Sequence, residues 1–86
     1  MHALYPNPAA DRLHVEVIVV AAAQTVRLRL TELLGGRVVL EKALAMDPKG
    51  QYQADFDVQA VRPGQYAATL IVDGVPTSTQ KVVINQ

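Results

Sequence analysis

His14, Ser78 and the pair Asp55 and Asp57 are the side chains of this 86-residue chain best placed for chemistry, and their spacing argues against it. A nucleophilic site needs a Ser, Cys or Thr beside a base that a third group orients. Ser78 is the only serine and lies in a polar stretch late in the chain, far from both histidines, His2 and His14. His14 alternates with apolar neighbours, so it takes the outward face of its segment, where a solvated surface group is the ordinary reading and a general base the rare one. Asp55 and Asp57 project from one face of a strand about 7 Å apart. Calcium wants about six to eight oxygen ligands, and no third carboxylate stands close in sequence, so a polar solvent face is the simpler reading. Arg27 and Arg29 likewise share an outer face, where carboxylates on neighbouring strands can pair with them. The chain has no cysteine, no phosphate-binding glycine loop, no zinc-ligand spacing and no platform of stacked aromatics. The expectation is a protein that is not an enzyme and takes no cofactor or metal.

The elements that carry these residues are strands. Leu4-Tyr5-Pro6-Asn7-Pro8-Ala9 cannot be helical, because Tyr5 and Asn7 each precede a proline and are pushed out of the α region. It reads as an extended lead-in or short edge strand, with a rigid linker end equally compatible. From Leu13 the pattern has period two: Leu13, Val15, Val17 and Val19 alternate with Arg12, His14 and Glu16, as a half-buried strand requires. Ile18 to Ala23 is apolar on both faces, which suggests deeper burial or a turn built on alanine. Val26, Leu28 and Leu30 repeat the alternation against Thr25, Arg27, Arg29 and Thr31. Gly35-Gly36 then suits a tight hairpin needing positive φ.

Arg37 to Leu44 is the returning strand, although Leu40 to Met46 also has good local helix propensity. Asp47-Pro48-Lys49-Gly50 fits a type I turn. Tyr52, Ala54, Phe56 and Val58 make another half-buried strand. Arg62-Pro63-Gly64 reads as a type II turn with glycine supplying positive φ. Tyr66, Ala68, Leu70 and Val72 follow, Asp73-Gly74 signals a two-residue hairpin, and the run from Thr77 to Ile84 closes the pattern with Pro76 at its start. Turn signals every 10–15 residues or so, with no amphipathic helix of ordinary length, predict an all-β sandwich of six or seven short antiparallel strands. A small open barrel is the other compatible arrangement.

Size and charge narrow the function classes. Eighty-six residues make one thin-cored domain. Residues 1–3 read as a cloning remnant or the end of a linker, and 4–86 as a single sandwich. Tyr5, Tyr52, Phe56 and Tyr66 are the whole aromatic set, so the core must be mostly aliphatic. Eight basic and eight acidic side chains cancel, which removes the electrostatic footprint of a nucleic-acid binder or a polybasic membrane anchor. The longest purely apolar run, Val17 to Ala23, is seven residues. A bilayer needs about 20, so no direct membrane insertion by a helix is expected. No signal peptide opens the chain, and an export signal belongs on a longer precursor.

Five short segments carry a resemblance. Leu4-Tyr5-Pro6-Asn7-Pro8-Ala9, followed by Asp11-Arg12-Leu13 and an alternating strand, resembles the opening of the C-terminal sorting domain of the type IX (Por) secretion system, which ends cargo proteins of Bacteroidota. Leu33-Leu34-Gly35-Gly36-Arg37-Val38-Val39 is similar to that family's hairpin of a hydrophobic pair, Gly, Arg and Val-Val. Pro63-Gly64-Gln65-Tyr66, then Asp73-Gly74, then Lys81-Val82-Val83-Ile84 at the close, match in order and spacing. The chain departs from the family in having one glycine more at Gly35-Gly36 and in lacking the alanine of the usual Pro-Ala-Gly before Tyr66.

The resemblance implies an immunoglobulin-like sandwich that serves as a secretion address. The precursor passes through the periplasm, and this domain is recognised by the type IX translocon and its outer-membrane shuttle protein. It is then removed by a sortase-like peptidase cutting upstream of Leu4, leaving cargo joined to anionic lipopolysaccharide at the cell surface or secreted. Lys81, Val82, Val83 and Ile84 are the candidate recognition residues. Tyr5, Pro6, Asn7, Pro8, Gly36, Arg37, Pro63, Gly64, Tyr66, Asp73 and Gly74 are the motif positions that shape the fold. In the closing strand, successive apolar residues exceed what a half-buried strand needs, so the surplus one either meets a partner on the outer face or is covered by a strand packed on both sides within the sandwich, the second being the simpler reading. An edge strand there can also pair with a receptor, or with a second copy of the chain. A non-catalytic binding or adhesion module, for a small ligand or a carbohydrate, is the alternative from another class.

Overall fold

A computed structural model describes residues 2–6, 9–17, 24–46 and 51–85. The turn expected at Asp47-Pro48-Lys49-Gly50, the apolar stretch from Ile18 to Ala23, and Asn7 and Pro8 lie outside these residues. The described chain forms β1 (His2–Tyr5), β2 (Arg12–Val17), β3 (Val26–Glu32), β4 (Val38–Ala43), β5 (Ala45–Met46), β6 (Tyr52–Asp57), β7 (Gly64–Val72) and β8 (Val75–Ile84). They build two four-stranded sheets, ordered β1-β2-β6-β5 and β4-β3-β7-β8, and every pairing between named strands is antiparallel. β4 and β5 are one run of chain that changes sheet at Leu44. Leu44 is buried, and its N–H donates to the Val26 carbonyl at 2.8 Å. Counted as one strand, that run brings the total to seven, as the turn spacing predicts. The stretch from Leu40 to Ala43 is strand, so its helix propensity gives way to pairing with β3.

The period-two pattern places the core. Leu13, Val15 and Val17 from β2 and Phe56 from β6 face Val26, Leu28 and Leu30 from β3, Tyr66, Ala68 and Leu70 from β7, and Val82 and Ile84 from β8. All belong to one buried cluster, and Tyr52, Ala54 and Val72 pack partly buried against it. Each large side chain withdrawn in this way is worth about 1.5–3 kcal/mol against exposure. The alternation breaks once in β7, where a register shift between Leu70 and Ile71 buries both neighbours. Such a bulge admits one extra residue on the partner strand and leaves Pro76 paired with Ile71 at the edge, where its missing N–H is tolerated.

The turns follow the sequence at two places and depart from it at one. Gly35 and Gly36 take φ of 88° and 71°, and the four-residue loop from Leu33 to Gly36 is closed by the Glu32 N–H donating to the Arg37 carbonyl at 2.9 Å. Asp73 and Gly74, at φ 49° and 81°, join Val72 to its partner Val75 as a two-residue hairpin of the primed kind. Arg62-Pro63-Gly64, however, is not the type II turn its residues suggest. Gly64 has φ 158°, far from the roughly +80° that turn demands at its third position, and is the first residue of β7. The reversal lies earlier, where the Val61 N–H donates to the Val58 carbonyl at 3.1 Å.

One parallel contact completes the edges. After β1 pairs with β2, the chain crosses to the other sheet and Ala9 bridges Ile84 at the outer edge of β8. With β1, β2, β6 and β5 in one sheet and β3, β7 and β8 in the other, the strand order is the A-B-E-D and C-F-G layout of an immunoglobulin-like sandwich, with β4 added beside C.

Candidate functional site

Sheet register gathers segments that are far apart in sequence at one end of the sandwich. Glu32 pairs with Tyr66, Gln65 with Val83 and Gly64 with Ile84. The Leu33 N–H donates to the Gln65 carbonyl at 3.2 Å, and the Ala9 N–H donates to the Val83 carbonyl at 2.8 Å. Leu33, Gln65, Val83 and Ala9 thus lie side by side across the sheet, one from each of four separately recognised segments. The Asp73-Gly74 turn stands apart, joined to the end of the β2–β3 connection. Its carboxylate Oδ1 accepts the N–H groups of Gln24 and Thr25, each at 2.8 Å, and its own N–H donates to the Thr25 carbonyl at 2.9 Å.

The closing strand presents its four candidate residues on alternate faces. Val82 and Ile84 point into the core with 0% and 1% exposure, Val83 is half-buried on the outer face, and Lys81 is exposed. Ile84 belongs to the same cluster as Ala9, which is also fully buried. The outer edge of β8 is occupied at its last residues, because the Asn85 N–H also donates to the Ala9 carbonyl at 2.8 Å. Direct strand addition by a receptor at Val83 to Asn85 therefore meets a position already filled by Ala9.

Beside this row, the hairpin carrying Gly36 and Arg37 faces the connection carrying Pro63 and Gly64. The Arg37 Nε donates to the Glu32 carboxylate at 2.8 Å across the mouth of the hairpin. Tyr66 is buried at the start of β7, and its hydroxyl donates to the Arg62 carbonyl four residues upstream. That contact is the tyrosine corner of immunoglobulin-like sandwiches. It explains why a tyrosine two residues after glycine belongs to the motif, a link the sequence pattern did not supply. The signal was an aromatic residue at the first inward position after a turn.

Elsewhere, the residues singled out for chemistry serve the sheets. His14 lies on the outward face, as its alternation requires, yet it is not simply solvated. Its side chain is 23% exposed, with Nδ1 2.7 Å from Asp55 Oδ1 and Nε2 3.4 Å from Glu16 Oε1. The Tyr5 ring lies over it at 5.0 Å between centroids. The hydrogen bond to Asp55, aided by Glu16, raises the imidazole pKa above its usual 6.5. Partial burial and the neighbouring Glu16 carboxylate raise the Tyr5 phenol above 10.0. Arg27 and Arg29 both pair with Glu41, at 3.3 and 2.7 Å, and the Arg29 bond leads in holding that carboxyl below 4.5. Asp57 accepts the Gln59 N–H at 3.0 Å. Among the described residues, no three His, Cys, Asp or Glu side chains are grouped to hold a metal ion.

The family described as secretion system C-terminal sorting domain matches residues 3–85, nearly the whole chain. No curated protein matches it.

Proposed function

Since this chain belongs to the secretion system C-terminal sorting domain family, the sorting signals of type IX secretion, we propose that the secretion machinery reads it at the end of the sandwich where β8 closes. The family's role carries a protein across the outer membrane to the cell surface or the medium, and such domains are in general non-catalytic. On this reading Lys81 and Val83 are the side chains a partner touches. Val82 and Ile84 act from beneath, fixing the ribbon against the core. The observation that supports it is the row Leu33, Gln65, Val83, Ala9, in which adjacent backbone pairings tie the closing strand to three other family segments at one end of the sandwich.

The partners that fit are the type IX translocon and its outer-membrane shuttle protein, met in the periplasm. A sortase-like peptidase then acts on the chain upstream of Leu4, and the cargo is retained at the surface. Residues 4–86 act as one unit in this process. Because Ala9 occupies the edge at Val83 to Asn85, recognition proceeds through the outer side-chain face of β8 and not by adding a strand at its last residues.

The test is delivery of a reporter that carries an export signal at its front and this domain at its end. Removing Lys81 to Gln86 should leave the reporter in the periplasm. Lys81→Glu should lower surface delivery without lowering the melting temperature of the domain, and Val83→Asp should lower delivery at temperatures where the domain remains folded. Normal delivery of the truncated fusion would remove the basis of the proposal.

A further inference from the structure

The same end of the sandwich holds an open groove of about 890 Å³ between the β3–β4 hairpin and the connection from β6 to β7. Its volume lies in the range usual for ligand sites, but its walls are unlike those of an enclosed small-molecule pocket. Leu34 is 89% exposed, and Leu33 and Val38 are about half exposed. These side chains form the rim, while Val61 and Pro63 line the opposite wall. A small occupant of the groove touches these side chains on one flank only and leaves the rest of each in water. Only one that extends beyond it covers them, which points to a macromolecule.

Charge selects the kind of segment. Two arginines, Arg37 and Arg62, and one glutamate, Glu32, border the groove, leaving one positive charge in excess. Arg37 spends one N–H on Glu32, whereas the exposed Arg62 guanidinium has no carboxylate partner among the described residues. Arg62 is also held in place. Its carbonyl accepts from Tyr66, and the following Pro63 narrows its backbone to extended conformations. A planar five-donor group, carried on this held stretch of backbone beside exposed leucines, suits a carboxylate adjacent to an apolar side chain.

We infer that this groove is a second docking surface, separate from the outer face of β8, and that it takes an extended segment of a partner protein in which a large apolar residue stands next to Asp or Glu. The apolar side chain seats against Leu33, Leu34 and Val61, and the carboxylate meets Arg62. Gln65 lies between the groove and Val83, so a single partner can span both surfaces.

Titration of the ¹⁵N-labelled chain with the peptide acetyl-Glu-Leu-Asp-Phe-amide tests this, with its Gln/Asn counterpart as the neutral control. Amide shifts should concentrate at residues 33–38 and 60–65. The neutral peptide, and the Arg62→Glu protein, should bind roughly tenfold more weakly, the scale of one charge-assisted hydrogen bond. Leu34→Ser, a surface change that leaves the core intact, should weaken binding as well. Equal affinity for both peptides, or shifts away from the groove, would overturn the proposal. So would concentration-dependent self-association abolished by Leu34→Ser, which would assign the groove to a second copy. In the reporter assay, Arg62→Glu and Leu34→Ser should lower delivery with melting unchanged. If they do not while Val83→Asp does, the groove fails and the reading of β8 stands.

Discussion

Ala9 and Val83 are joined across the edge of the sandwich: the Ala9 N–H donates to the Val83 carbonyl at 2.8 Å, and the Ala9 carbonyl accepts the Asn85 N–H at 2.8 Å. The two ends of the chain are thereby one structural unit. Residues leading out of β1 in one sheet hold the last residues of β8 in the other. Replacing Ala9 with proline deletes the donor and its bond to the Val83 carbonyl. The expected cost is about 0.5–1.5 kcal/mol, read as a lower urea midpoint with an unchanged m-value. Amide exchange at Asn85 should quicken more than exchange at Leu28, which lies in β3 between β4 and β7.

Tyr66 should matter beyond its volume. Tyr66→Phe keeps the buried ring and removes the hydroxyl that donates to the Arg62 carbonyl. A loss of about 0.5–1.5 kcal/mol follows from one such bond, and in a domain this small each kcal/mol lowers Tm by roughly 4–8 °C. Thermal melts of the two proteins check this. Tyr66→Ala should cost more, about 3–5 kcal/mol, because it also opens a cavity.

These two contacts mark where reading the sequence ran out. Alternation at Leu13, Val15 and Val17, and again at Val26, Leu28 and Leu30, places the inward faces correctly because period two is a local property of a strand. Asp73-Gly74 was legible for the same reason: the residues themselves demand the turn. Arg62-Pro63-Gly64 misled, since its residues allow a type II turn but the paired strand takes Gly64 as its first residue and the Tyr66 hydroxyl fixes Arg62 instead. The Ala9–Ile84 bridge is set by the packing of two sheets, 75 positions apart in sequence, and no local pattern encodes it. His14 was assigned to the correct face, but its acidic neighbour Asp55 comes from β6, and only the β2–β6 register reveals it.

Asp73 combines two roles that substitution can separate. Its carboxylate accepts two backbone N–H groups, from Gln24 and Thr25, and its backbone holds φ at 49°. Asp73→Ala loses both hydrogen bonds to Oδ1 and places a residue without a local side-chain bond in the left-handed region, for an expected cost of about 1–3 kcal/mol. Asp73→Asn retains one acceptor oxygen and tolerates that φ, so it should fall between wild type and alanine. Asp73→Gly relieves the backbone but does not restore the two lost hydrogen bonds. Denaturant midpoints in the order Asp, Asn, then Ala would support the account, and equal midpoints for Asn and Ala would contradict it.

His14 should give the domain a pH-dependent stability of defined sign. The imidazole lies between Asp55 on β6 and Glu16 on its own strand, under the Tyr5 ring from β1, and Asp55 leads in raising its folded pKa above 6.5. A histidine whose folded pKa exceeds its unfolded value binds its proton more tightly when folded. Its contribution is therefore complete below about pH 6.5 and is lost as pH rises through the folded pKa. In that window the urea midpoint should fall with increasing pH. Both ring nitrogens have a carboxylate within reach, so His14→Gln keeps at most one hydrogen bond and carries no charge to titrate; its midpoint should be flat over the same window. Asp55→Asn removes the leading cause of the shift, so the histidine resonances should titrate at a lower pH than in the parent domain. An unaltered titration in Asp55→Asn would show that the β2–β6 contact does not set the charge of this histidine.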